Sequence, residues 1–340
     1  MFMTKNRLQL LLTLAVFLLT GCVGEPEFPP TPRGNFEALW KIMDEHYCFF
    51  TDKQVDWNAV HDRYAPAVDN GMNDAQLMEV MTAMLSELKD GHVNLFSSFD
   101  VGRYWGFYED YPPNYSDALE RRYLGTDYRI AGGMQYRVLD DNIGFLRCSS
   151  FMSQIGAGNL DQILLYFAPC RGLIIDVRQN GGGMLTSAEE LAARFFNAET
   201  LVGFMQHKTG RGHDDFSPLQ RQVLKPGKGV RWQKPVVVLT NRQVFSAANE
   251  FVKYMKYSPH AIVLGDSTGG GAGLPFSSEL PNGWGVRFSA CPMYDSDMQT
   301  TENGIAPDVP SRLQAIDAAR GYDTLIEDAR AIIRNRKNNP

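Results

Sequence analysis

The sequence predicts an α/β fold with a small helical unit on its N-terminal side, and three observations carry that prediction. Leu173–Val177, apolar but for Asp176, and Pro235–Leu239, apolar throughout, have the mark of strands buried on both faces as in a parallel sheet. Each is followed by a polar or glycine-rich turn and then a helical pattern, Thr186–Phe196 after the first and Ser246–Tyr257 after the second. Residues 35–89 instead place apolar side chains at helical spacing, in Phe36, Leu39, Trp40 and Met43 and again in Leu77, Val80, Met81, Met84, Leu85 and Leu88.

The elements follow in order. Lys5 and Arg7 precede Leu8–Leu19, an apolar stretch too short to span a bilayer but suited to the core of a signal peptide. It ends in Leu19-Thr20-Gly21-Cys22, which resembles the bacterial lipobox, where cleavage precedes a cysteine whose thiol carries a diacylglycerol. Two readings stand: a lipoprotein signal at 1–21 with Cys22 as the lipidated residue, or an ordinary secretory signal with a chance cysteine. The polar, proline-rich tether at 22–34 favours the first. It implies a lipid anchor in a bacterial envelope, and Val23 after the cysteine points to the outer membrane, facing the periplasm. The remaining Cys48, Cys148, Cys170 and Cys291 have no CxxC spacing, so neither structural zinc nor one disulfide pairing is indicated. A formal net charge of −6 with no basic stripe argues against nucleic acid as a partner.

Residues 35–92 read as a helical domain, with Asn73 and Gln76 in capping-box spacing. Residues 93–135 are aromatic and proline-rich and read as loops and short strands covering a core, with Tyr104–Tyr115 a candidate lining for a cleft. Residues 136–335 form the α/β core. Tyr136–Leu139 and Ile143–Cys148 flank Asp140-Asp141-Asn142 as a hairpin, Asn159–Phe167 reads as a short helix, and Ala261–Leu264 as a third buried strand. The polar, basic segment 207–229 reads as a long surface loop.

Four stretches carry candidate chemistry. "IIDVRQNGGG" leaves a strand and places Gly181, Gly182 and Gly183 together, either as a flexible loop or as bare backbone N–H groups held open for an oxyanion. "TNRQVFSAANEF" puts Ser246 at a helix start, where it is either an N-cap or a nucleophile in the positive field of the helix terminus. "LKDGHV" presents His92 after a helix, structural or catalytic. "TTENGIAPDVP" holds Glu302 in a turn-rich segment, which by itself reads as a solvated acidic loop.

Taken together and in this order, the four stretches resemble the C-terminal (tail-specific) processing peptidases, in the branch related to the tricorn core protease. The resemblance spans about Asn35 to Arg312. It implies a ClpP/crotonase-like spiral core and serine-type hydrolysis of peptide bonds in peptides or unstructured protein tails. It makes Ser246 the nucleophile, His92 the base and Glu302 the group that orients the histidine, with Gly181, Gly182 and Ala247 as oxyanion donors. No cofactor and no metal site is implied.

The sequence departs from the family in two places. The lysine of a Ser–Lys dyad, expected about 25 residues after the serine, is missing from Gly265–Gly273, and Lys253 and Lys256 sit about 10 and 15 Å along the helix from Ser246. A histidine base remains. Gly91 stands where the tricorn core protease has a relay serine, leaving Glu302 to reach His92 directly, through water or through another side chain. No PDZ-like insertion lies between His92 and Leu173. The competing readings are a non-catalytic ligand- or peptide-binding protein on the same fold and, further off, an acyl-CoA enzyme of crotonase type.

Overall fold

The computed structural model describes residues 28–106, 109 and 111–336; the expected signal peptide at 1–21 and Cys22 lie outside them. Helix α1 (Pro32–His46) opens the described chain, with Thr31 Oγ1 accepting from the Gly34 N–H and proline at its first position. The first helix begins at Pro32, three residues before the expected start of the helical part, because cap and proline start it there. Helices α2 (Phe50–Lys53), α3 (Trp57–Tyr64) and α4 (Asp74–Ser86) follow, and Asn73 and Gln76 form the reciprocal capping box expected of their spacing.

Two sheets make the core. The first runs β13-β10-β9-β6-β5-β4-β3. Strands β5 (Gly144–Arg147), β6 (Leu173–Asp176), β9 (Val236–Thr240), β10 (Ala261–Gly265) and β13 (Val309–Pro310) are parallel; β4 (Met134–Val138) and β3 (Arg129–Ala131) add antiparallel ribbons. Strands β6 and β9 are buried throughout, as their mostly apolar runs favour, and the buried Asp176 that ends β6 is paired with Arg178. Helices α6 (Ala157–Tyr166), α7 (Leu185–Ala192) and α8 (Ala247–Lys256) cover one face, and α9 (Thr324–Asn335) covers the other with Leu325, Ile326, Ala329 and Ile333. This is the α/β core with a small helical N-terminal part that the resemblance implied.

The second sheet was largely hidden in the sequence. Its order is β2-β1-β12-β7-β8, with β11 (Gly273–Glu279) on β12 (Gly285–Tyr294). The hairpin of β1 (Asn94–Phe96) and β2 (Val101–Arg103) pairs onto β12, and β7 (Thr200–Met205) carries β8 (Gln220–Leu224). Residues 207–229 are thus no plain surface loop: β8 lies among them, a half-exposed edge strand whose polar side chains concealed it. Residues 93–135 likewise contain a helix, α5 (Asp117–Leu124), capped by Ser116. Leu280, Trp284, Val286, Phe288 and Ala290 of this sheet share one hydrophobic cluster with the N-terminal helices, so that helical part completes its core on β12. Cys48, Cys148, Cys170 and Cys291 are buried free thiols.

Candidate active site

Strands β6, β9 and β10 are parallel neighbours, so the loops at their C-terminal ends fall side by side, the usual place for a site in such a sheet. The glycine loop leaves β6. A buried Arg178 anchors it, its guanidinium donating to Asp176, to Asp323 and to the Asn114 carbonyl. Asn180 then ties the loop to the nucleophile's turn: its carbonyl accepts from the Phe245 N–H at 3.0 Å, and its Oδ1 accepts from the Gly182 N–H at 2.9 Å. Gly182 has φ +99°, and a Cβ there would sit 2.8 Å from the Phe245 carbonyl oxygen and 3.0 Å from the Ala247 nitrogen. Bare backbone is required because the loop touches the turn that holds Ser246.

Ser246 follows β9 with φ +57° and ψ −126°, a conformation that L-residues rarely hold, and its side chain makes no cap bond to α8. The N-cap reading is thereby removed. Its N–H donates to the Gly270 carbonyl at 2.8 Å, from the loop after β10, while its Oγ lies 2.9 Å from His92 Nε2. The Ala247 N–H, in the first turn of α8, has no hydrogen-bond partner among the described residues. Gly181, next to Gly182 in the loop, is exposed, and its N–H is equally uncommitted among the described residues. Gly182 differs, since its N–H is spent on Asn180. Of the three expected oxyanion donors, Ala247 and Gly181 are free to serve, and Gly182 provides the close approach.

His92 comes from the other sheet, just before β1. It is 3% exposed and packs its ring on Phe245 with centroids 4.7 Å apart. Burial pulls its pKa down to about 4, against the charge of Asp90 and with smaller help from Arg287 and Lys53, so the imidazole is neutral at neutral pH and able to accept a proton. Asp90 is the neighbour that holds it. Its Oδ1 accepts the His92 N–H at 2.7 Å, while Oδ2 accepts the hydroxyls of Tyr47 at 3.0 Å and Ser289 at 2.9 Å.

Glu302 makes no direct contact with His92. Its Oε2 accepts the Ala272 N–H at 2.8 Å and its Oε1 pairs with Lys53 Nζ at 3.1 Å, and His92 Nδ1 is buried with no partner among the described residues. Phe245 packs beside the histidine. Its ring lies against both Gly91 and Gly271, so that a Cβ on either would come within 2.8 Å of it, and it fills the space where a relay serine would stand. Burial and Asp90 push Glu302 up to about 8, against Lys53 and the Ala272 N–H. Lys253 and Lys256 are also elsewhere: Lys253 Nζ binds Gln222, the Tyr294 carbonyl and Glu250, and Lys256 pairs with Asp308.

Sequence reasoning missed Asp90, Phe245, Lys53, Tyr47 and Asn249. Asn249, fully buried on α8, accepts from Thr268 and donates to Thr301, fixing the loop that carries Glu302. Asp90 alone left a signal, standing two residues before His92 in a turn where an aspartate can bind its own backbone.

A serine on a strained turn, a buried neutral histidine against it and free amides beside it, on an α/β core, define a serine peptidase. The comparisons agree. Residues 142–311 match the model of peptidase family S41, and residues 28–86 match the tricorn protease C1 domain. The chain belongs to peptidase family S41. A crystal structure of a putative peptidase from Parabacteroides merdae is similar at 51% identity with a TM-score of 0.86, covering 91% of this chain and 98% of that one. The carboxy-terminal processing protease CtpA of Bacillus subtilis is 26% identical over 51% of this chain and 36% of its own length. The tricorn protease structure shares the fold, with a TM-score of 0.58 at 17% identity over 89% of this chain and 36% of that one. The chain spans about a third of the length of the processing proteases it matches.

Proposed function

We propose that this chain is a serine endopeptidase that cuts peptides or unstructured protein tails, with Ser246 as nucleophile and His92 as base. The observation that carries the reading is the 2.9 Å contact from His92 Nε2 to a Ser246 Oγ that caps nothing. In this reading Ser246 Oγ attacks the scissile carbonyl as His92 Nε2 takes its proton. The oxyanion accepts from the Ala247 and Gly181 N–H groups, and His92 delivers the proton to the departing amine. Water then hydrolyses the acyl-serine by the same proton transfers in reverse order. Asp90 acts through the backbone amide of His92, and Glu302 holds the Ala272 loop.

A fluorophosphonate probe is expected to label the wild-type protein at Ser246 and to leave Ser246→Ala unlabelled, with both proteins melting at similar temperatures. Equal labelling of the two would place the nucleophile elsewhere. Labelling of neither would favour the second reading, a peptide-binding protein on the same fold, which the partnerless His92 Nδ1 supports.

The setting belongs to the same proposal. Leu19–Cys22 supports lipidation of Cys22 and anchorage in the bacterial envelope, at the outer membrane facing the periplasm. Cells fed a labelled fatty acid should incorporate it into this protein, and Cys22→Ser should abolish incorporation and membrane retention; a Cys22→Ser protein that still labels would end the lipoprotein reading.

A further inference from the structure

Three arginines from separate segments line one cavity of about 210 Å³: Arg122 of α5, Arg137 of β4 and Arg330 of α9. The cavity lies on the face of the parallel sheet that α9 covers, and none of the candidate catalytic residues lines it. Like charges gathered from distant parts of a chain repel unless opposite charge joins them.

The three guanidinium groups differ in what they already hold. Arg330 is satisfied: its Nε donates to Asp141 at 2.9 Å and its Nη1 to Glu327 at 2.8 Å. Arg137 is only partly so. Its Nη1 donates to the Leu124 carbonyl at 3.0 Å and faces the exposed Asp127 at 3.2 Å, while its Nε is buried with no partner among the described residues. A buried N–H is destabilising until something accepts from it. With Nη1 taken, the edge left over is that of Nε and Nη2, a pair of parallel N–H groups that matches the oxygens of an oxyanion.

Arg122 holds nothing. It is exposed, with no hydrogen bond or ion pair among the described residues. Its Nη1 lies 1.5 Å from where a Cβ on Gly321 would stand. Gly321, at φ +83°, ends the helix Ala315–Arg320 in the left-handed conformation and leaves that space open. Bare backbone thus seats the guanidinium at the cavity.

Two carboxylates share the lining. Glu327 is committed to Arg330 and to the Tyr123 hydroxyl, which donates to it at 2.8 Å. Asp140 is exposed, where water and salt screen it. Arg122 and the free edge of Arg137 are left without an acceptor.

We propose that this cavity binds a phosphate group, with Arg122 and the Nε–Nη2 edge of Arg137 as its donors. Donors arriving from two elements suit a tetrahedral oxyanion, which offers oxygens in several directions. A planar carboxylate is used up by one guanidinium fork. The volume is about seven times a water's share of the liquid, which leaves room for part of an alcohol esterified to the phosphate. Tyr322, 51% exposed in the lining, flanks that group. The site is independent of the peptidase reading.

The test titrates the full chain with inorganic phosphate at constant ionic strength, against chloride as reference. Binding is read by calorimetry and by a melting temperature that rises with phosphate concentration. Amide hydrogen exchange should slow in residues 117–124 and 321–330. Arg122→Ala removes a side chain that forms no hydrogen bond, so it should fold like wild type and bind phosphate at least about tenfold more weakly, the loss of a charge-assisted hydrogen bond. Arg122→Lys should keep part of the affinity. Arg121→Ala, one residue away on α5 and outside the cavity, removes the same charge and should stay within about twofold of wild type. Competition separates the sources of the phosphate. Release of bound phosphate by phosphatidylglycerol vesicles, but not by phosphatidylcholine vesicles, identifies a lipid headgroup; release by neither identifies a soluble phosphate ester. Wild type that binds phosphate no better than chloride overturns the site. So does an affinity unchanged in Arg122→Ala, or lowered equally in Arg121→Ala.

Discussion

Ser246 is held at φ +57° and ψ −126°, a region that glycine visits freely and other residues at a cost of about 1–3 kcal/mol. Replacing it by alanine removes the hydroxyl but keeps the Cβ, and with it the strain. Glycine removes both. Two terms offset the relief: the extra unfolded-state entropy of glycine, about 0.5–1 kcal/mol, and the loss of a half-buried Cβ that packs beside Gly182, about 0.5 kcal/mol. Both variants lose the His92 contact, so that loss cancels in the comparison. Ser246→Gly is therefore expected to be more stable than Ser246→Ala by about 1 kcal/mol, and both should be inactive. Denaturant titration of the two proteins measures the difference from their midpoints at equal slope. A Ser246→Gly protein no more stable than Ser246→Ala would refute the claim that the fold stores strain at the nucleophile to free it from capping the helix.

The acid limb of kcat/KM should lie near pH 4 rather than near the ordinary histidine value of about 6.5, because only neutral His92 accepts the serine proton. The same shift affects stability. The unfolded chain binds the His92 proton below about pH 6.5 and the native state only below about 4, so this contribution is intact above 6.5 and is lost as pH falls toward 4, and His92→Gln should flatten that part of the stability curve. Gly182→Ala should lower turnover by at least about a hundredfold, since its Cβ meets the Ala247 nitrogen and the Phe245 carbonyl oxygen; near-wild-type activity would remove the loop from the oxyanion site. Glu302→Gln should change kcat by less than about tenfold, against at least about a hundredfold for His92→Ala, because its carboxylate binds Lys53 and Ala272 instead of the imidazole. A loss in Glu302→Gln equal to that of His92→Ala, without unfolding, would show that the carboxylate reaches the histidine during turnover.

Read alone, the sequence determined the local elements and the residue types that carry chemistry. The runs Leu173–Val177, apolar but for Asp176, and Pro235–Leu239 marked buried strands, and each led into the glycine loop or the serine turn that follows it. The Asn73 cap and the Phe36–Leu88 periodicity fixed the helical part for the same reason: both are set within a few residues of chain. The second sheet escaped because β7, β8 and β11 are partly exposed ribbons whose polar side chains weaken the alternation, and β12 is paired by strands from both ends of the chain. Tertiary structure alone decided which groups meet. Ser246 and His92 are 154 residues apart and hang from different sheets, so their contact depends on how those sheets pack. The same packing sets Phe245 against His92 and Gly271, turns Glu302 to Lys53 and leaves Asp90 holding the His92 amide. No local pattern encodes those outcomes, because each is settled by side chains from distant segments competing for one buried space.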